Sequence, residues 1–182
     1  TAKAFGALYR YSNWLNRQNL AQFSFEHNRE KAAAIIADCL ARGKTRIGEL
    51  EGNEILKCYG FNTLPTQLAV TEEDAVKIAG ELGYPVVMKI SSPQILHKSD
   101  ANGVKVGMKN EDEVRAAFQD IVHNAAAYDP TACIDGVILQ KFAPPGDEVI
   151  LGVSRYPIFG PLLMFGFGGI FVEVLKDVSF RL

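Results

Sequence analysis

Cysteine is scarce in this sequence: Cys39, Cys58 and Cys133 are the three among 182 residues. They are widely spaced, odd in number and without a CxxC pair. That argues against a disulfide framework or a dithiol redox motif and predicts a reduced, cytoplasmic setting. Histidine is as sparse, and His27, His97 and His123 have no metal-ligand spacing. Neither sign of charge dominates, with 19 Lys and Arg against 21 Asp and Glu, a net of −2. No global field therefore points to nucleic acid or to an anionic membrane. No apolar run is long enough to span a bilayer, and no signal peptide is visible. What is there is ordinary globular composition, 48% hydrophobic and 22% charged, in a length that fits one or two domains with a real core. The chain opens on Thr rather than Met and stops inside a strand-like run, so it is expected to be a piece of a longer polypeptide.

Residues 3–20 read as a helix whose apolar residues Phe5, Leu8, Tyr9, Trp14 and Leu15 have no partner in the segment. Residues 26–42 set Ala33, Ile36, Ala37 and Leu40 at helical spacing, which predicts an amphipathic helix stopped by Gly43. Arg42-Gly43-Lys44-Thr45 invites a phosphate-loop reading. The first glycine of GxxxxGK[ST] is absent and no strand precedes it, so an exposed linker is the better expectation. Residues 47–59 predict a short helix with Ile55, Leu56 and Tyr59 inward.

A regular alternation follows. Residues 67–70 predict a strand. Thr71 with Asp74 at N3 forms a capping box for a helix lined by Ala75, Ile78, Ala79 and Leu82. Residues 85–90 and 104–109 predict two more strands. Asn110 caps a second helix, with inner positions Val114, Ala117, Phe118, Ile121, Val122 and Ala125. Residues 136–142 predict a fourth strand. The order β-α-β-β-α-β is a split βαβ unit, two helices on one face of four strands. Phe118, Ile121 and Val122 are expected against Val87 and Val106, and Phe118→Ala should then cost about 3–5 kcal/mol. Beyond Pro144-Pro145-Gly146, apolar runs at 148–153, 160–165 and 171–175 predict the start of a second subdomain. Phe165-Gly166-Phe167-Gly168-Gly169 reads as a turn between the last two.

The candidate chemistry gathers around residues 85–108. Lys89 interrupts an apolar strand, and a lysine there must reach an anion or snorkel to solvent. The connection after it is polar and long for a compact domain, and such loops are functional or disordered. It carries His97, Lys98 and Gly103. An imidazole is mostly neutral near pH 7, and a neutral ring nitrogen can attack phosphorus. A surface histidine is the plainer alternative. Gly103 would let backbone approach a phosphate. Gln140, Lys141 and Phe142 end the fourth strand, where backbone amides can meet an adenine edge, and Glu148 follows where a carboxylate can bind ribose hydroxyls. For these last four a charged turn explains the spacing equally well. Glu173 alternates with valines, which suits a site or mere solvation. If His97 must visit a distant partner, residues 91–102 should be mobile.

Together these stretches resemble the ADP-forming (NDP-forming) acyl-CoA synthetases, relatives of succinyl-CoA synthetase. The matching residues are Val86-Val87-Met88-Lys89-Ile90-Ser91-Ser92-Pro93, Ile95-Leu96-His97-Lys98-Ser99-Asp100 and Gly103-Val104. Further on are Glu148-Val149-Ile150-Leu151-Gly152, Phe159-Gly160-Pro161-Leu162, and the run from Phe165 through Glu173 to Val178. The resemblance implies an α/β (α+β) ATP-grasp fold, with the split βαβ unit as its lid and a truncated second subdomain. It divides the chain into the end of a CoA-ligase-type domain (1–22), a helical linker (23–46), the lid (47–142) and the second subdomain (143–182). It implies ATP or another NTP with Mg2+, a phosphohistidine at His97, and Lys89, Lys98 and Gly103 on the phosphates. Gln140 to Phe142 would meet adenine, and Glu148 ribose. The partners it implies are a CoA-binding ligase domain or subunit, CoA and a small carboxylic acid, in an oligomer. The family's metal ligands would lie beyond Leu182. Asn102 stands where the family usually has the first of two glycines, and Asn tolerates left-handed backbone better than most residues. Two alternatives stay open: the ATP-grasp-like regulatory region of a protein lysine acetyltransferase, and a non-catalytic ferredoxin-like ligand-binding module.

Overall fold

The computed structural model describes residues 2–16, 25–168 and 178–181. Three helices come first: α1 (Ala2–Leu15), α2 (Arg29–Ala41) and α3 (Glu49–Cys58). No residue of α1 is buried; Phe5, Leu8, Tyr9 and Leu15 are exposed, and Tyr11 stacks on Trp14. Helix α2 departs from expectation. Ile36 and Leu40 are exposed, and the buried residues are Ala32 and Cys39. The sequence AAAIIADCLA is apolar nearly all round, so its period offers more than one face; packing against α3 selects the one through Ala32 and Cys39. The Asn28 amide there donates to Cys58 O at 2.7 Å. On α3, Leu56 is likewise exposed and Cys58 is the buried residue.

The central unit runs β1 (Thr66–Ala69), α4 (Glu72–Leu82), β2 (Val86–Ser91), β3 (Val104–Met108), α5 (Glu111–Tyr128) and β4 (Gly136–Lys141). Both caps form as expected. Thr71 and Asp74 complete a capping box at α4, and the Asn110 side chain accepts from the Glu113 amide at α5. Satisfying those free amides is what starts each helix at that residue. The four strands make one antiparallel sheet ordered β1-β4-β2-β3. Each helical crossover therefore skips one strand: β4 lies between β1 and β2, and β2 lies between β3 and β4. The β2–β3 hairpin, whose loop holds His97, occupies one edge of the sheet.

Strand alternation decides what meets the helices. Val86, Met88 and Ile90 of β2 and Val137 and Leu139 of β4 join Ala75, Ala79, Val114, Ala117, Ile121 and Ala125 in one buried cluster. Paired residues share a face. Val87 pairs with Gln140 and with Val106, and Lys89 pairs with Val104, so all of these lie on the opposite face. The expected packing of α5 on Val87 and Val106 is thus corrected to Val86 and Met88, and Val106 is 58% exposed. Gly107, at φ 82, sits in the bulge that offsets the register there. Phe118 is only partly buried at the rim of the cluster, whereas Ile121 is fully buried. Ile121→Ala should therefore cost about 2–5 kcal/mol, and Phe118→Ala less than the full aromatic value. Urea unfolding of both variants checks the ranking.

A second, three-stranded antiparallel sheet contains β5 (Val149–Tyr156), β6 (Gly160–Phe167) and β7 (Val178–Arg181) in that order. Phe165-Gly166-Phe167, expected in a turn, lies inside β6. Gly166 pairs with Ile150 on one side and Val178 on the other. The expected strand at 171–175 and the residue Glu173 lie outside the described residues.

Candidate functional site

Lys89 projects from β2 on the face away from α4 and α5. Its Nζ donates to Gln140 Oε1 at 2.7 Å and to Glu49 Oε1 at 2.8 Å. Gln140 arrives by register, as the cross-strand partner of Val87 one pleat from Lys89. Lys98, in the hairpin loop, donates from Nζ to Glu49 Oε2 at 2.7 Å. One carboxylate thus holds two ammonium groups, one on each oxygen, and all three side chains are about three-quarters buried. Burial pushes the Glu49 carboxyl up, but the hydrogen bonds and charges of Lys89 and Lys98 outweigh it and hold it below the ordinary glutamate range. The stabilisation from this triad is fully present above that ordinary range. It is lost as pH falls through the lowered value.

The loop is more tied down than its polarity suggests. Ile95 and Ala101 are buried in the main cluster. The amides of Asp100, Asn102 and Gly103 donate to the carbonyls of His97, Ser99 and Lys98 at 3.1, 3.0 and 2.8 Å. His97 and Leu96 stand exposed between the two apolar anchors. Asn102 has φ 47, the left-handed backbone that the family's glycine would supply. Gly103 is buried; a Cβ there would come within 2.6 Å of Ile90 Cγ2 and 3.0 Å of Lys98 O. Its amide is engaged by Lys98 O, so its smallness serves loop closure in this state.

Lys89, Lys98 and Gln140 are brought together. The others are not. Lys141 and Phe142 are exposed at the end of β4, and the Phe142 amide donates to Pro85 O at 3.1 Å. Glu148 is exposed and precedes β5, where its carbonyl accepts from the Gly168 amide at 2.7 Å. Lys44 of the rejected GKT motif pairs with Glu51. Sequence reasoning missed Glu49. It is the first residue of α3, where an acidic side chain needs no explanation beyond the helix dipole. Its lysines lie 40 and 49 residues away, beyond the reach of local pattern. Among the described residues no group of three or more His, Cys, Asp and Glu side chains gathers to hold a metal ion.

One carboxylate thus bridges two ammonium groups on the open face of the four-stranded sheet. The chain belongs to the ATP-grasp domain family, which matches residues 38–182. It is 55% identical over 151 residues to the acetate–CoA ligase (ADP-forming) I subunit beta of Pyrococcus furiosus, covering 83% of this chain and 65% of that protein. It is 45% identical over 180 residues to the 4-hydroxybutyrate–CoA ligase (ADP-forming) of Nitrosopumilus maritimus, covering 99% of this chain and 26% of that protein. The chain thus spans 65% or less of the length of these two relatives. Among solved structures it resembles acetyl-coenzyme A synthetase 1 of Ca. Korarchaeum cryptofilum. The form with coenzyme A and Ca-AMPCP superposes at TM-score 0.80 and 45% identity, over 82% of this chain and 66% of that one. A form with coenzyme A and Mg-AMPPCP, its phosphohistidine segment pointing towards the nucleotide binding site, gives 0.68 and 41%, over 82% and 63%.

Proposed function

We propose that this chain is the nucleotide-binding part of an ADP-forming acyl-CoA synthetase: carboxylic acid, ATP and CoA give acyl-CoA, ADP and phosphate through a phosphohistidine at His97. The observation that carries it is the exposed His97 next to Lys98, with Lys98 and the strand lysine Lys89 meeting on one anion. A polyphosphate suits that donor set as well as a carboxylate does, because ammonium hydrogen bonds to either are charge-assisted.

ATP supplies the γ-phosphoryl group. A ring nitrogen of His97 attacks the γ-phosphorus, an N–P bond forms, and the bond to the β-bridging oxygen breaks, with its electrons leaving on ADP. Lys89 and Lys98 offset negative charge on the phosphates during that step. The phosphoryl group then passes to a carboxylate oxygen of the acid on a CoA-ligase domain or subunit, and the CoA thiol attacks the acyl carbon of the acyl phosphate, forming the C–S bond as the C–O bond breaks and inorganic phosphate leaves. Magnesium accompanies the nucleotide in this reading, with none of its ligands assigned to the described residues. Gln140, Lys141 and Phe142 are proposed at the base and Glu148 at the ribose, Lys98 and Gly103 at the phosphates, and Glu173 is a further candidate. Residues 1–22 are proposed as the end of the ligase domain, 23–46 as linker, 47–142 as lid and 143–182 as the second subdomain, in an oligomeric cytoplasmic enzyme. Among the described residues no helix is long and apolar enough to cross a membrane.

The full-length enzyme with ATP, CoA and acetate or 4-hydroxybutyrate should form the acyl-CoA with ADP as the only nucleotide product. Chromatography that finds AMP and pyrophosphate instead would exclude the phosphohistidine route.

A further inference from the structure

Glu49 occupies the place where a phosphate would be gripped. Its two oxygens take up the Nζ of Lys89 and of Lys98 at 2.8 and 2.7 Å. A phosphate arriving at Lys89 meets a carboxylate already hydrogen-bonded to the same ammonium. Like charges that close repel, and partial burial weakens the screening. Lys89 does not depend on Glu49 for its orientation, because Gln140 holds it independently. Lys98 is different. Among the described residues, the His97 loop is held by the apolar anchors Ile95 and Ala101, by its own turn hydrogen bonds and the Ile90 amide on Gly103 O, by the Gln94 side chain on the Cys133 amide, and by the Lys98–Glu49 ion pair. Of these ties only the ion pair responds to an incoming charge.

We propose that Glu49 is a positioning residue acting as an internal anion: it latches Lys89 and Lys98 together in the empty site and is displaced by nucleotide phosphate, which unlatches the loop carrying His97. This rests on the nucleotide reading above. Phosphate at Lys89 drives Glu49 off, Lys98 exchanges the fixed carboxylate of α3 for the phosphate that His97 takes up, and the segment that must carry the phosphoryl group away is untied from α3 by the same ligand that charges it. An ion pair suits such a switch because its strength is set by neighbouring charge rather than by shape.

The test is calorimetric titration of the assembled full-length enzyme with Mg-AMPPCP. Glu49→Gln keeps one acceptor oxygen and removes the competing charge, and it should bind the analogue roughly tenfold more tightly than wild type. Glu49→Asp, which keeps the charge, should stay near wild type. A purely structural role would weaken binding in Glu49→Gln, and either weaker or unchanged binding overturns the proposal. Hydrogen exchange on the wild-type enzyme gives a second answer free of folding defects. Adding AMPPCP should speed exchange at the amides of Asp100, Asn102 and Gly103, and unchanged or slower exchange overturns the latch. Lys89→Met separates the two levels. If it leaves AMPPCP affinity intact, the nucleotide reading fails; if it weakens binding while Glu49→Gln does not strengthen it, the latch alone fails.

Discussion

Replacing His97 with Asn should abolish acyl-CoA formation in the full-length enzyme while leaving nucleotide affinity within about twofold of wild type. The side chain is exposed on a loop and makes no hydrogen bond that closes the Lys89–Glu49–Lys98 corner. Its loss therefore removes a nucleophile without disturbing the grip on phosphate. Asn keeps a polar group of similar reach but cannot form the phosphoramidate, so the two-step route has no intermediate. Steady-state turnover with binding measured separately distinguishes this from a folding defect. A variant that still turns over would reduce His97 to a surface histidine and exclude the phosphohistidine route.

Replacing Lys89 with Met should lower both nucleotide affinity and turnover. Methionine keeps the apolar stem along β2 and removes the ammonium. A hydrogen bond to a charged group is worth about 1.5–3 kcal/mol, so affinity should drop roughly ten- to hundredfold. The variant should fold, because the buried face of β2 is carried by Val86, Met88 and Ile90. Calorimetry with Mg-AMPPCP reads the effect. Unchanged affinity would make Lys89 a snorkelling lysine with no role in the site.

Much of the lid was legible in the sequence because its signals are local. Thr71 with Asp74 and Asn110 with Glu113 mark where α4 and α5 begin, and both helices turn their predicted faces to the core, with Leu82, Phe118 and Val122 only partly buried. The failures share one cause. Val86-Val87-Met88 is apolar on both faces of the sheet, so periodicity cannot say which residue meets α5; pairing with β4, some fifty residues on, decides it. Gly166 reads locally as a turn and is held in β6 by strands on both sides. In α2 several apolar faces compete, and a contact with α3 chooses. Within the site, Lys89 was visible as a charge in an apolar strand, and His97 through the resemblance of its motif. Glu49 was invisible because the meaning of an acid on a first helical turn depends on two lysines that only the fold brings to it.

The proposed phosphoryl carrier is His97. Incubating the full-length protein with Mg and γ-labelled ATP, then digesting it and mapping the label, tests this directly. Acid-labile, base-stable label is expected on the peptide that contains His97, absent from His97→Asn. Label confined to another residue, or no label under conditions in which acyl-CoA is made, would contradict it.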